Sequence, residues 1–230
     1  MSSRYAVTVT GPEDRNLEFN WPSVTEIIDA VLAKPGLHDW YYKEGVRGFS
    51  YLLQKYGDGT PNDVKSLHSL MKTEGLSPYA QRDNAAGEGR KIHEAVEKLA
   101  NGKKVEGYEA LKDWWYGRWG RKRSQILAAE QVVASFKNQY CGTLDLVYTE
   151  NSGTVLSDVK SGAVRESHAV QLELYRWAWE ECFGVKIDAM TVIQVARDGG
   201  GVVEHEIAMT DKLTEAASGI LQVYRWSKLR

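Results

Sequence analysis

The feature that most constrains this chain is a change of hydrophobic period near residue 125. Before it, apolar residues recur at helical spacing, as in Ile92, Val96 and Leu99. Helices are predicted around 38–55, 61–74, 79–100 and 107–124, and Ser23-Val24-Thr25-Glu26 reads as a capping box opening a helix through Ile27, Ile28 and Val31. From Ile126 the period shortens to that of strands. Three are predicted, Ala129 to Lys137, Tyr140 to Thr149 and Thr154 to Ser161, the last two joined by a turn at Glu150-Asn151-Ser152-Gly153. A helix over 165–183 follows, then strands Ala189 to Val195 and Val202 to Ala208, then a last helix from about Asp211 with Thr210 as N-cap. This order describes an α/β fold, a central sheet with helices on its faces and a helical N-terminal region. With 230 residues, 43% of them hydrophobic, the chain has material for one sizeable core. The expected organisation is a helical region, 1–85, packed on a core, 86–230, as one continuous domain.

Composition narrows the function classes. No run approaches the roughly 20 apolar residues of a membrane span, and Met1-Ser2-Ser3-Arg4 does not open a secretory leader. Two cysteines, Cys141 and Cys182, are too few for a disulfide scaffold. A soluble protein of a reducing cytoplasm fits, with no membrane partner. A net charge of -2 is unlike a basic DNA coat protein, yet it leaves nucleic acid open because a nuclease concentrates acidic groups at its metal site.

The candidate chemistry lies on two neighbouring strands. Side chains alternate along a strand, so Asp158 and Lys160 share a face and Val159 turns to the other. An antiparallel turn would bring Asp145 within reach of Asp158. Two carboxylates that close repel unless a cation lies between them, and Mg2+ or Mn2+ takes such oxygens while keeping positions for water and phosphate. Lys160 could orient the attacking water or offset charge on the phosphate. Alone, Asp158-Val159-Lys160 equally describes a solvated strand face. Its neighbours Val155, Leu156 and Val159 make the strand apolar enough to be central, where a charge needs a reason. His93, four residues after Gly89 on a helix, and the i,i+4 pair Gln171 and Tyr175 are each weak when read alone.

In order, however, these pieces resemble the PD-(D/E)xK nuclease superfamily, and within it the RecB-like branch. The matches are Gly89 with His93, Glu130, Gly142-Thr143-Leu144-Asp145, Asp158-Val159-Lys160, and Gln171 with Tyr175, together covering roughly residues 87–180. Trp21-Pro22-Ser23-Val24-Thr25 with Leu37 and Trp40 is similar to the start of phage-type and mitochondrial genome-maintenance exonucleases. Leu144 stands where the superfamily's name has proline, a departure common in this branch.

The resemblance implies a restriction-endonuclease-like core and a Mg2+- or Mn2+-dependent deoxyribonuclease, in a bacterium or a phage-infected host. It implies metal ligation by His93, Asp145, Asp158 and the Val159 carbonyl, and activation of water by Lys160. Gln171 would brace the site, and Tyr175 would touch the DNA backbone or fix its helix. Glu130 reads evenly as an upstream catalytic acid or a surface glutamate. The expected activity is exonuclease action on single-stranded DNA or duplex ends in recombination, repair or replication. A structure-specific endonuclease or junction resolvase, or a silent DNA-binding module, remains the alternative. A recombinase, annealing protein or single-strand-binding protein is the partner class that fits.

Two cysteines cannot hold an iron-sulfur cluster, which needs four thiolates, and no G-x-x-x-x-G-K-[ST] nucleotide loop occurs. Both cysteines are expected to be small core residues. Arg121, Lys122, Arg123 and Arg165 are the candidate phosphate contacts. Trp40-Tyr41-Tyr42 and Trp114-Trp115-Tyr116 are read as core rather than base-stacking platforms.

Overall fold

Strand formers and helix formers separate along the chain as the period change requires. A computed structural model describes residues 5–9, 15–32, 36–120, 125–151, 153–197 and 200–229. The chain divides into two units, Met1–Ala33 with Lys91–Arg230, and Lys34–Arg90.

The larger unit is α/β. Its sheet contains β3 (Ile126–Ser135), β4 (Tyr140–Glu150), β5 (Gly153–Lys160), β6 (Ala189–Val195) and β7 (Val202–Ile207), in that spatial order. All neighbours are antiparallel except β5 and β6, making the sheet mixed. Parallel neighbours need a crossover, and α6 (Glu166–Phe183) supplies it.

Residues of β4 and β5 are buried almost throughout, as strands covered on both faces must be. One layer is α1 (Val24–Val31), α6 and α7 (Asp211–Lys228), which bring Ile27, Leu172, Trp179 and Ile220 onto Leu144, Leu156 and Val192. The other is α5 (Glu109–Trp119) and the part of α4 (Pro78–Ala100) from Lys91 on. It places Ile92, Val96, Leu111, Trp115 and Trp119 against Leu146, Tyr148, Val159 and Ile193. Burying each Leu or Ile fully in these layers contributes about 1.5–3 kcal/mol.

Polar contacts fix the register. Arg118 pairs with Glu150 at 2.6 Å and also with Glu204, which accepts from Trp114 Nε1 at 2.9 Å, tying α5 to β4 and β7. Asp188 accepts the Thr154 N–H at 3.0 Å and packs against Gly153, where its carboxylate fills the place of a Cβ and φ is +116°. That contact pins the β4–β5 turn to the start of β6.

Most helices and strands lie where the period places them, with two differences. A hairpin, β1 (Tyr5–Val9) and β2 (Arg15–Phe19), precedes the helices of the region read as helical. Its Tyr, Val and Thr content carries strand propensity, but five residues are too few to show a period. The capping box is also only half formed. Ser23 Oγ accepts the Glu26 N–H at 3.0 Å, whereas the Glu26 carboxylate takes the Tyr224 hydroxyl at 2.5 Å, a tertiary contact holding α1 to α7. Thr210 caps α7 as expected, accepting from Leu213 N at 3.2 Å.

Cys141 is buried and Cys182 half-buried, both packed in the core as read; burial raises both thiol pKa values. Among the described residues no helix is long and apolar enough to cross a membrane.

The smaller unit holds α2 (Leu37–Tyr56), α3 (Val64–Thr73) and the first half of α4. Its core is slight, around Leu52 and Met71. Gly48 is required there, because a Cβ would lie 2.7 Å from the Leu76 carbonyl. Lys55 and Tyr56 both hold Glu74, at 2.6 and 2.5 Å. Tyr42 does not join the core as expected but is 72% exposed; Tyr116 of the larger unit also faces out, while Trp115 is buried.

Candidate metal centre

The β4–β5 ladder determines where the acids meet. Its paired residues stop at Leu146 opposite Ser157, and the next position along sets Asp145 opposite Asp158. Directly opposed residues share a face. Asp145 Oδ2 accepts the Val159 N–H at 2.6 Å, so a side chain takes the place of the next rung and joins the two strands.

Three further groups complete the site. His93, on α4, places Nδ1 3.3 Å from Asp145 Oδ1 and 3.3 Å from Glu130 Oε1. Glu130 lies on β3 between Ala129 and Gln131, which pair with Leu146 and Leu144, and so sits beside Asp145. Its φ is +48°, the left-handed region that a glutamate adopts at a cost. Such strain persists where the surroundings impose it, often at functional sites. On the next strand, Lys160 Nζ lies 2.6 Å from each oxygen of Asp158 and 3.4 Å from the Val159 carbonyl.

The electrostatics divide the two acids. Burial drives the His93 pKa down, but Asp145 and Glu130 overcome it and raise it to about 10. Burial raises Asp145, yet His93, Lys160 and the Val159 N–H bring it below the usual carboxylate range. Asp158 goes the other way: burial and the Asp145 charge push it up to about 7 against the pull of Lys160. Asp158 is 2% exposed, and its Oδ2, though near the ammonium, makes no hydrogen bond among the described residues.

These residues fit a hard divalent cation. One nitrogen and two carboxylate oxygens, from His93, Glu130 and Asp145, lie within 4.8 Å of one another. Ligands about 2.1 Å from an octahedral ion are spaced by about 3 Å, close to the 3.3 Å seen here. The buried carboxylate of Asp158 adjoins these residues, its Oδ2 2.6 Å from the Lys160 ammonium but without an aligned hydrogen bond. The set contains no thiolate, so it favours Mg2+ or Mn2+ over softer ions.

The expected residues distribute as follows. His93 and Asp145 come together with Glu130, which moves from an open reading to a donor in the cluster. Asp158, Val159 and Lys160 form the adjoining half. Tyr175 is 4% exposed, its ring set against Gly142, where a Cβ would lie 2.8 Å from Cε1. It packs α6 on β4, three residues before Asp145. Gln171 is half-buried one turn earlier on α6. Arg165 is exposed at the start of α6. Arg121, Lys122 and Arg123 lie outside the described residues.

Sequence reasoning passed over Gln194, which donates to the Gly162 carbonyl at 2.9 Å behind Lys160 and meets His205 Nε2 at 2.9 Å. A polar residue within the apolar run Ala189-Met190-Thr191-Val192-Ile193-Gln194-Val195 was the available signal.

No family model matches the chain, and no curated protein matches it. A solved structure of the protein SSO0001 is similar at 12% identity over 87% of this chain and 84% of that one, with a TM-score of 0.31. A likeness that distant carries no argument about function.

Proposed function

We propose that the chain is a Mg2+- or Mn2+-dependent deoxyribonuclease of the RecB-like branch, with a restriction-endonuclease-like core, acting as an exonuclease. The observation that carries this reading is the meeting of His93, Glu130 and Asp145 beside a buried Asp158 whose Oδ2 makes no hydrogen bond. In the metal-free protein a protonated His93 balances Asp145 and Glu130. A nuclease gains a cation site with a lysine next to it.

His93, Glu130 and Asp145, with Asp158 adjoining, would hold the ion. When bound, the ion polarises a phosphodiester and lowers the pKa of water. The chain's own residues do the rest. Asp145 ties β4 to β5 through the Val159 N–H, so the two halves of the site keep a fixed spacing. Lys160 carries its ammonium to the Asp158 carboxylate, beside the Val159 carbonyl, where it can orient a water or meet charge developing on phosphate. Tyr175 and Gly142 hold α6 and β4 in register beneath them.

Digestion of end-labelled single-stranded and duplex DNA with Mg2+, Mn2+ or EDTA tests the reading. Metal-dependent release of nucleotides from an end is expected. Rapid cutting of a circular single strand would replace the exonuclease with an endonuclease on the same site. No cleavage with any divalent ion would remove the nuclease reading and leave the silent binding module.

A further inference from the structure

The turn after Lys160 has a construction that the metal centre does not explain. Lys160 is in parallel register with Gln194, and Gln194 reaches past it to donate to the Gly162 carbonyl at 2.9 Å. His205, from β7, meets the other end of that amide at 2.9 Å. The Gly162 carbonyl is thereby held toward the sheet. A trans peptide directs the following N–H the opposite way, so that of Ala163 faces away from Gln194. Among the described residues no acceptor takes the N–H of Ala163 or Val164.

Two guanidiniums flank this turn. Arg197 packs over Gly162, its Nη2 3.5 Å from where a Cβ would be. Arg165 ends the turn, its backbone N–H bonded to His168 Nδ1 at 3.2 Å. Both arginines are exposed, and among the described residues neither pairs with a carboxylate. His168 reports the density of charge: burial, Lys160 and Arg165 together push its pKa down to about 4, which keeps it a neutral acceptor for the turn. Positive charge and outward N–H groups are thus gathered around the turn that follows Lys160.

We propose that the 161–165 turn is a subsite for a backbone phosphate of the nucleic-acid strand, held by Arg165, Arg197 and the Ala163 N–H. It rests on the nuclease reading and deepens it, because a phosphate gripped here sets the strand's position relative to Lys160. Arg165 and Arg197 act in binding and not in the chemical step. Gln194 and His205 are positioning residues that act through Gly162.

The test is binding of a short fluorescein-labelled DNA strand in Ca2+ across a salt series. Wild-type protein is compared with Arg165→Ala, Arg197→Ala and, as a remote control, Arg225→Ala, with cleavage measured in parallel in Mn2+. Each of the first two is expected to weaken binding about tenfold, to lower the salt slope by about one and to raise the KM of cleavage in proportion. Arg225→Ala should match wild type. Unchanged affinity and slope in both variants would overturn the subsite, as would wild-type protein that does not bind the strand. Cleavage without arginine dependence removes the subsite alone. Arginine-dependent binding without cleavage keeps the subsite and removes the nuclease.

Discussion

Two carboxylates of the larger unit are buried almost equally, Glu173 at 1% exposure and Asp158 at 2%, yet their surroundings differ completely. Glu173 takes Arg176 at 2.6 and 2.9 Å, Trp177 Nε1 at 2.9 Å and Thr214 Oγ1 at 2.8 Å. Burial works to raise its pKa, but these donors bring it below the usual range. Asp158 has one partner residue, an oxygen without a hydrogen bond and a pKa pushed up to about 7 by burial and Asp145. Glu173 is a clamp between α6 and α7, its desolvation offset within the protein. Asp158 has Lys160 at 2.6 Å from both oxygens, yet burial and the Asp145 charge outweigh that pairing. A fold tolerates such a group where a ligand supplies what is missing.

The comparison breaks or sharpens under substitution. Asp158→Asn and Lys160→Ala should each reduce metal-dependent cleavage by about a thousandfold or more, read in single-turnover assays. Asp158→Asn should also raise the Tm of the metal-free protein, because it removes a poorly compensated buried charge; a lowered Tm would assign Asp158 to structure. Glu173→Ala should do the opposite. It leaves Trp177 and Thr214 without their acceptor and Arg176 with Glu180 alone, and should cost about 1–3 kcal/mol of stability in chemical denaturation, with cleavage per folded molecule retained.

A smaller effect separates the two regions by pH. Glu173 and Asp145 have lowered folded-state pKa values, so their contribution is present above the unfolded carboxylate range and lost as pH falls through the folded values. His93 is raised, so its contribution is complete below the unfolded value near 6.5 and lost as pH climbs through about 10. Thermal melts of metal-free protein should therefore show an acid limb reduced in Glu173→Gln and an alkaline limb reduced in His93→Gln. An alkaline limb unchanged in His93→Gln would contradict the contacts assigned to His93.

The comparison also separates what the sequence could disclose from what it could not. Asp145 opposite Asp158 was legible because both lie on strongly patterned strands joined by a short turn. The β–α–β order from Thr154 to Val195 and the Thr210 cap were legible for the same local reasons. Glu130 was legible only as a match to the family pattern, because its place beside His93 depends on the β3–β4 register, which packing across the sheet determines. Glu26 misled for a similar cause: its partner Tyr224 is distant in sequence, and a tertiary contact won over the local cap. The Gly142–Tyr175 and Gln194–Gly162 contacts join residues whose proximity only the folded sheet creates. Tyr5–Val9 lacked the length to declare itself.

The central claim is that the acids around Asp145 are held for a cation, and calorimetric titration with Mn2+ near neutral pH tests it most directly. Wild-type protein should show a saturable site whose occupation releases protons, since His93 must lose its proton to ligate. Asp145→Asn and His93→Ala should abolish or greatly weaken it, and Glu173→Gln should leave it intact. Wild-type protein that takes up no Mn2+, or binding that survives both site variants, would contradict the account.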